Sequence, residues 1–244
     1  LVFLPRHGRR HCHSPTSINY RANIDVLKRA GVTDIISLSA CGSFRDELAP
    51  GTFVLVDQFV DRTFARDKSF FGPGLVAHVS MANPVCARLG DALEGVGSEM
   101  GIGAVRNGTY LAMEGPQFST LAESNLYRTW GCDVIGMTNM PEAKLAREAE
   151  MCYATVAMVT DYDCWHPDHV NVEVTDVIRV LTENADRARD LVKIVADRLH
   201  HRPIACPHGC DRALDAALIT QPEARDSAMM RQLDAVAGRV LAAP

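Results

Sequence analysis

The sequence predicts an α/β fold in one large domain. Short apolar runs rich in β-branched residues alternate with amphipathic helical patterns, which is typical of that class. The chain has 244 residues, of which 47% are hydrophobic and 23% charged, an ordinary globular composition. No repeat or change in composition divides residues 1–200. We therefore expect one domain over residues 1–200, with the C-terminal tail of residues 201–244 packed on it.

Six apolar runs predict β-strands. They lie at residues 1–5, 34–40, 52–60, 109–113, 133–137 and 153–160. The first run begins at residue 1 without an initiator methionine, and a strand in such a sheet needs neighbours. We expect an upstream N-terminal segment that supplies one.

Helical periodicity predicts the segments between these strands. A helix over residues 20–31 stops at Gly31, and a helix over residues 120–130 opens with a capping box of Thr120 and Glu123. Asn139 and Glu142 suggest a second box-like helix start. The longest helix is expected at residues 175–199, followed by a polar connector and a helical tail.

Composition and charge exclude several classes of protein. The chain carries 25 Lys and Arg against 30 Asp and Glu, a net charge of −5, which is not typical of proteins that bind nucleic-acid phosphates. Its apolar stretches are far shorter than a membrane span, and no secretory signal is visible. Eight cysteines are too widely spread for a disulfide scaffold. We expect a reducing, cytoplasmic location.

Polar and small residues gather where predicted strands end. They are Arg6 and His7, Ser39 to Gly42, Glu114 to Phe118, Met137 and Thr138, and Asp161 to Asp163. Ligands of α/β proteins bind at the carboxyl ends of strands. The sequence therefore predicts a ligand site built from these segments.

Two chemistries suit these residues. Arg6, His7, Ser39 and Thr138 could cage an oxyanion, with a surface arginine and unrelated turn residues as the alternative. Asp161 and Asp163 are two close carboxylates, which could raise the pKa of one of them and make it a proton donor. The alternative is that both acids lie in a solvated loop. Phe118 is either a stacking platform or a core residue. A triphosphate loop and a dinucleotide-binding glycine motif are both absent from the sequence.

Histidines and cysteines do not predict a metal site. The candidates are residues 11–13, the pair His166 and His169, and the pair Cys206 and Cys210. None supplies four ligands at zinc spacing, so we expect no metal.

Eight stretches in order over residues 1–200 resemble the methylthioadenosine phosphorylases, the trimeric branch of the purine nucleoside phosphorylases. The most specific are EGPQFST at 114–120, GMTNMPEAKLAREAEMCYA at 136–154 and TDYDCW at 160–165. The others are RHG at 6–8, NYRANI at 19–24, SACGS at 39–43, VDQFVDRT at 56–63 and AES at 122–124. The resemblance implies one α/β domain whose central mixed sheet is distorted and barrel-like. It also implies an N-terminal strand and a glycine-rich phosphate loop, which we expect upstream of residue 1.

The resemblance implies a role for each site residue. Phosphate would contact Arg6, His7, Ser39 and Thr138, and the sugar would contact Ala40, Cys41, Gly42 and Met137. Phe118 would stack on the purine, while Asp161 and Asp163 would bind its imidazole-ring nitrogen and 6-amino group. His78 of a neighbouring subunit would cover the methylthio group beside Val174 and Val177.

The same resemblance implies the reaction. Phosphate would cleave S-methyl-5′-thioadenosine into adenine and 5-methylthioribose 1-phosphate in a homotrimer, without a metal or organic cofactor. Related phosphorylases for 6-oxopurines have Asn at the position of Asp161 and Glu at that of Ser119, so this pair favours adenine, whose amino group donates to a carboxylate. The alternatives are a methylthioinosine or general purine nucleoside phosphorylase and a non-catalytic nucleoside-binding protein.

Overall fold

Five strands form a closed barrel at the centre of the computed structural model, which describes residues 1–168, 174–201 and 205–241. The strands are β1 (Asp34–Ser43), β2 (Phe53–Arg62), β3 (Ala104–Met113), β4 (Val134–Gly136) and β5 (Cys152–Asp161). Their order around the barrel is β1-β4-β3-β2-β5. Parallel and antiparallel pairs both occur, because β1 runs parallel to β5 while β2 runs antiparallel to it. The predicted single-domain α/β fold with a barrel-like mixed sheet is confirmed.

Seven α-helices surround the barrel within the described residues. They are α1 (Tyr20–Arg29), α2 (Ala87–Glu99), α3 (Leu121–Thr129), α4 (Asn139–Glu148), α5 (Val174–Arg198), α6 (Ser227–Gln232) and α7 (Asp234–Leu241). The predicted helices at residues 20–31, 120–130 and 175–199 are confirmed to within two residues at each end. None of the described helices is both long and apolar enough to cross a membrane.

The predicted strand at residues 1–5 is wrong. These residues form no ladder, and the side chains of Leu1 and Phe3 are 80% and 71% exposed. A strand is held by backbone hydrogen bonds to a neighbour, and the five described strands pair only with one another. An apolar, β-branched composition without a ladder partner does not make a strand.

Helix α2 was not predicted, because three glycines interrupt its helical pattern. Gly90, Gly95 and Gly97 each lower helix propensity. Leu89 and Leu93 are nonetheless completely or almost completely buried against the barrel, so tertiary packing offsets the weak local preference. Gly97 also brings the helix close to β3, since a Cβ there would lie 3.5 Å from that of Ala104.

The tail contributes to the main core. Leu214, Leu233 and Val236 are buried in the same hydrophobic cluster as Ile24 and Leu27 of α1. A second cluster packs α2 and α5 against the opposite side of β2 and β5. A third, smaller cluster packs Tyr127 of α3 on Leu111 and Ile135 of the barrel. The carboxyl end of β5 is less covered, since Asp161 there is only half-buried.

The two predicted helix starts behave differently. Thr120 and Glu123 form a complete capping box at α3. At α4 the residue before the helix is Thr138, whose side chain makes no capping bond, and no box forms. Glu142 instead points to Arg6 and Tyr153, and Asn139 bonds to Tyr153 and Thr155. Long-range partners have therefore replaced the local cap.

Candidate active site

Asp161 and Asp163 lie together at the carboxyl end of β5. The hydroxyl of Thr160 donates to Asp161 Oδ2 at 2.7 Å, and the backbone N–H of Asp163 donates to Asp161 Oδ1 at 2.8 Å. Asp163 adopts a left-handed backbone with φ 53°, so the chain turns here and both carboxyl groups can face one ligand.

The surroundings raise the pKa of both carboxyl groups. Burial raises the pKa of Asp161 and of Asp163, and the charge of Asp161 raises the pKa of Asp163 further. Asp163 Oδ2 and the hydroxyl of Ser124 are buried with no hydrogen-bond partner among the described residues. A carboxylic acid with a raised pKa is suited to donate a proton near neutral pH.

The end of β1 lies directly beside these acids. Gly42 pairs with Asp161 across the ladder, and a Cβ on Gly42 would lie only 2.8 Å from Asp161 Oδ1. Cys41 is buried next to it, and Ala40 is half-buried. Cys164 Sγ donates to the backbone oxygen of Ser119 at 3.3 Å, which brings the predicted base-binding segment to the same end.

A second polar group forms around the buried hydroxyl of Tyr110. That hydroxyl lies 3.2 Å from Ser39 Oγ and near the backbone N–H of Thr138. The glycine at position 136 is required here, because a Cβ would lie 1.9 Å from the Tyr110 hydroxyl. Ser39 and Thr138, two of the predicted phosphate-binding residues, are therefore joined through a tyrosine that the sequence analysis missed. A tyrosine within the predicted strand at residues 109–113 was the available signal.

Arg6 lies beside this group but is already largely hydrogen-bonded. It makes a two-point ion pair with Glu142 at 2.8 Å for each contact. It also donates to Ser37 Oγ at 2.6 Å and to the backbone oxygen of Leu38 at 3.0 Å. Of the five guanidinium N–H groups, one remains for a ligand. Glu142, which the sequence analysis took for a helix cap, is thus the main partner of Arg6.

His7 is half-buried on the same side of the barrel. Its Nδ1 lies 2.8 Å from the backbone oxygen of His13, and its ring stacks on His11. Burial lowers the pKa of His7. Because Nδ1 faces the carbonyl oxygen of His13, Nε2 is the ring nitrogen left for a ligand.

The two polar groups lie on one strand at a distance that suits a nucleoside. Ser39 and Gly42 are three residues apart on β1, which corresponds to about 10 Å. A base at the Asp161 end and an anion at the Ser39 end would leave room for a sugar between them. Met137 packs against the loop after β3, since its Sδ is 2.4 Å from where a Cβ of Gly115 would be. Phe118 is 42% exposed, so it does not belong to the core.

A buried ion pair supports the loop that carries Phe118. Arg66 Nε donates to Glu114 Oε1 at 3.1 Å, and the two side chains are 1% and 9% exposed. Arg66 also donates to the backbone oxygens of Met137 and Met140 at 2.5 and 2.6 Å. This arginine connects the loop after β3 to the start of α4 and was not singled out from the sequence.

Three predicted residues have no contact with these groups among the interactions of the described residues. His78 is exposed, and its backbone N–H donates to Ala217 oxygen at 2.9 Å. It lines a cleft with Asp57 and His208 rather than the gap beside Asp161. Val174 and Val177 lie in the first turn of α5, exposed and half-buried respectively. His169 falls outside the described residues.

The fold thus places two polar groups along one barrel strand, one around Asp161 and one around Ser39. The family model described as "Phosphorylase superfamily" matches residues 1–197. The chain belongs to that superfamily.

Similar proteins show to which branch of the superfamily the chain belongs. The S-methyl-5′-thioadenosine phosphorylase of Bradyrhizobium diazoefficiens is 68% identical, over 99% of this chain and 83% of its own length. That of Rhodospirillum rubrum is 66% identical, over 99% of this chain and 82% of its own length. A crystal structure of methylthioadenosine phosphorylase from an antarctic soil metagenomic library aligns with TM-score 0.90 and 44% identity, over 96% of this chain and 82% of that one. A Schistosoma mansoni methylthioadenosine phosphorylase in complex with adenine aligns with TM-score 0.83 and 32% identity, over 88% and 83%. The chain is a member of the S-methyl-5′-thioadenosine phosphorylase family.

Proposed function

We propose that this chain cleaves S-methyl-5′-thioadenosine with inorganic phosphate, giving adenine and 5-methylthioribose 1-phosphate for purine and methionine salvage. The observation that carries the proposal is the pairing of two groups on β1. A carboxylic acid with a raised pKa lies next to Gly42, and the cluster of Ser39, Tyr110 and Thr138 lies about 10 Å away along the strand.

The reaction uses a negatively charged phosphate at one end of the site and a proton donor at the other. Phosphate attacks the anomeric carbon while the bond to adenine lengthens, and the sugar passes through an oxocarbenium-like state. The phosphate dianion lies beneath that developing positive charge and stabilises it. Asp161 gives its proton to the departing purine, a role for which its raised pKa suits it.

Adenine is the base that this acid pair recognises. Asp161 and Asp163 bind the imidazole-ring nitrogen and the 6-amino group, and Phe118 stacks on the ring. A carboxylate oxygen accepts from an amino group, whereas the oxygen of a 6-oxopurine would meet another acceptor. Ser119, held near Cys164, does not supply the carboxylate that a 6-oxopurine needs.

Phosphate is the co-substrate, and no metal or organic cofactor takes part in this reaction. Ser39 and Thr138 supply hydroxyl and amide donors, and His7 supplies an imidazole. Arg6 has one N–H left after its bonds to Glu142, Ser37 and Leu38. Its charge, however, acts over the whole cluster. Ala40, Cys41, Gly42 and Met137 line the sugar.

The methylthio group is covered by apolar Val174 and Val177 and by His78 of a neighbouring subunit in a cytoplasmic homotrimer. What supports the neighbour's part is that His78 is exposed and lies away from Asp161 of its own chain. An apolar cover favours the thioether over a free 5′-hydroxyl, which would lose its hydrogen bonds to water.

Incubation of the purified protein with S-methyl-5′-thioadenosine, with and without phosphate, tests the proposal. We expect adenine and 5-methylthioribose 1-phosphate only when phosphate is present. Free methylthioribose in phosphate-free buffer would indicate a hydrolase instead. Faster turnover of methylthioinosine or inosine would indicate a 6-oxopurine enzyme, and tight binding without products would indicate a nucleoside-binding protein.

A further inference from the structure

Four cysteines that are distant in sequence meet outside the candidate active site. Cys86 precedes α2, Cys152 opens β5, and Cys206 and Cys210 follow α5. Cys152 is at the opposite end of β5 from Asp161, roughly 30 Å away along the strand. All four are buried and none forms a disulfide. Cys206 and Cys210 alone are too few ligands for zinc, and the fold brings two more cysteines to them.

The distances among the four sulfurs match a single ion. All four Sγ atoms lie within 4.8 Å of one another, and Cys86 Sγ is 3.7 Å from Cys206 Sγ. In a tetrahedral zinc site with Zn–S bonds of ~2.3 Å, each pair of sulfurs is ~3.8 Å apart. Four sulfurs this close surround one ion. A cluster of several iron atoms would hold its cysteines further apart.

A buried arginine beside the sulfurs favours negative charge on them. Arg88 lies beside Cys152 and pairs with Asp34. Its Nε and Nη1 atoms are buried and have no hydrogen-bond partner among the described residues. Buried N–H donors without acceptors are rare in folded proteins. Thiolate sulfurs bound to a metal are the acceptors that such donors commonly orient towards.

A turn between Cys206 and Cys210 brings their two sulfurs together. Gly209, between Cys206 and Cys210, has a left-handed backbone with φ 68°, and its N–H donates to the backbone oxygen of Cys206 at 3.0 Å. The N–H of Cys206 in turn donates to Asp211 Oδ2 at 3.2 Å. Cys86 occupies the N-cap position of α2, where the helix dipole favours a thiolate.

We propose that Cys86, Cys152, Cys206 and Cys210 bind one Zn²⁺ ion in a closed tetrahedral site. Binding displaces four thiol protons and leaves the Zn(Cys)4 unit with a net charge of −2, which Arg88 partly neutralises. Four thiolates fill the coordination sphere, so the ion is structural and activates no water. It fastens the segment after α5 to the start of β5 and to α2.

Metal analysis of the full natural chain, purified without chelators, tests the proposal. We expect about one Zn²⁺ per chain by inductively coupled plasma mass spectrometry. Replacement of zinc by Co²⁺ should give the intense visible and near-ultraviolet absorption of a tetrahedral thiolate site. The double variant Cys206→Ser/Cys210→Ser should hold at least tenfold less zinc and show no cobalt bands.

Two control variants separate the loss of a zinc ligand from the loss of the folded structure. The double variant Cys12→Ser/Cys164→Ser alters two cysteines outside the cluster and should bind zinc as the parent does. The variant Cys210→His keeps a zinc ligand and should retain the metal with a changed cobalt spectrum. Three outcomes would overturn the proposal: metal-free parent protein with all four thiols open to alkylation, two disulfides among these cysteines by mass spectrometry, or iron in place of zinc.

Discussion

Gly42 of β1 and Asp161 of β5 are in contact across the barrel ladder, with Asp161 Oδ1 only 2.8 Å from where a Cβ of residue 42 would be. No other residue type fits at position 42 without moving the carboxyl group. The glycine therefore leaves the space that the carboxyl group of the proposed proton donor occupies. It does so from a different strand, 119 residues earlier in the chain (161 − 42).

Gly42→Ala should lower kcat/KM for S-methyl-5′-thioadenosine on the order of 100-fold, because a displacement of about 1 Å at a reacting group can cost that much. Steady-state kinetics would measure the loss. Gly103→Ala is the matched control, since nothing lies within 4 Å of its added methyl group. Equal activity of the two variants would show that the position of Asp161 is not critical.

Asp161→Asn should lower kcat on S-methyl-5′-thioadenosine on the order of 10²- to 10⁴-fold, because an amide cannot donate an ionisable proton. Activity on methylthioinosine should fall less. The pH profile gives a second measurement. Burial raises the pKa of Asp161, so the parent rate should be level below that pKa and fall as pH rises through it. A variant with the parent's rate and the same falling limb would remove Asp161 as the donor.

Tyr110→Phe should raise the KM for phosphate about tenfold, the equivalent of ~1.4 kcal/mol, and change the KM for the nucleoside little. The variant removes the hydroxyl that lies between Ser39 Oγ and the Thr138 N–H. Phosphate titrations at saturating nucleoside would measure the effect. Tyr127→Phe, in a separate hydrophobic cluster, serves as the control. If both variants bind phosphate equally well, the tyrosine does not organise that end of the site.

The carboxyl ends of the strands could be predicted from the sequence because apolar runs and the polar residues after them are local features. The partners of those residues could not. Arg6 and Glu142 are 136 residues apart, and nothing local shows that most of the N–H groups of Arg6 are already bonded. Tyr110 was likewise invisible as a link between Ser39 and Thr138, since its role depends on the closeness of three chain segments.

The wrong strand at residues 1–5 and the unpredicted helix α2 have the same physical origin. Residues 1–5 have a strand-like composition, but a strand needs a ladder partner, and that is a tertiary property. Helix α2 has a weak helical pattern because of its glycines, and burial of Leu89 and Leu93 overrides it. Local preference decides the outcome only where long-range packing does not oppose it.

The free energy of unfolding of Glu114→Gln should fall less in acid than that of the parent. Burial alone would raise the pKa of Glu114, but hydrogen bonds from Thr16, two backbone amides and Arg66 outweigh it and lower the pKa to about 2. A lowered folded-state pKa stabilises the protein above the unfolded value of 4.5, and this stabilisation is lost as pH falls towards 2. The shift corresponds to about 3 kcal/mol.

Urea unfolding at a series of pH values would measure this contribution. The parent should lose stability steeply between pH 4.5 and 2, and Glu114→Gln should start less stable and lose less. Glu223→Gln changes an exposed carboxyl and is the control. Parallel curves for the parent and Glu114→Gln would mean that the ion pair with Arg66 does not drive acid unfolding.

Mixed assemblies of two inactive variants should regain activity if His78 completes the site of a neighbouring subunit. His78→Ala and Asp161→Ala should each be inactive or severely impaired alone. After joint dissociation and reassembly, some sites in a mixed trimer combine an intact Asp161 from one chain with an intact His78 from another. The distance of His78 from Asp161 within one chain motivates the test, since its side chain lines the cleft with Asp57 and His208. Closed rings of identical subunits are a common arrangement in which such sharing occurs.

The control mixture combines Asp161→Ala with Asp163→Ala. These residues lie two positions apart in one chain and serve the same site, so every site keeps a lesion and the mixture should stay inactive. Exchange of subunits is verified by native mass spectrometry, which should also give assemblies of about three times the 26.7 kDa chain mass. If the His78→Ala and Asp161→Ala mixture exchanges subunits and remains inactive, His78 acts within its own chain or not at all, and the shared site is refuted even in a trimer.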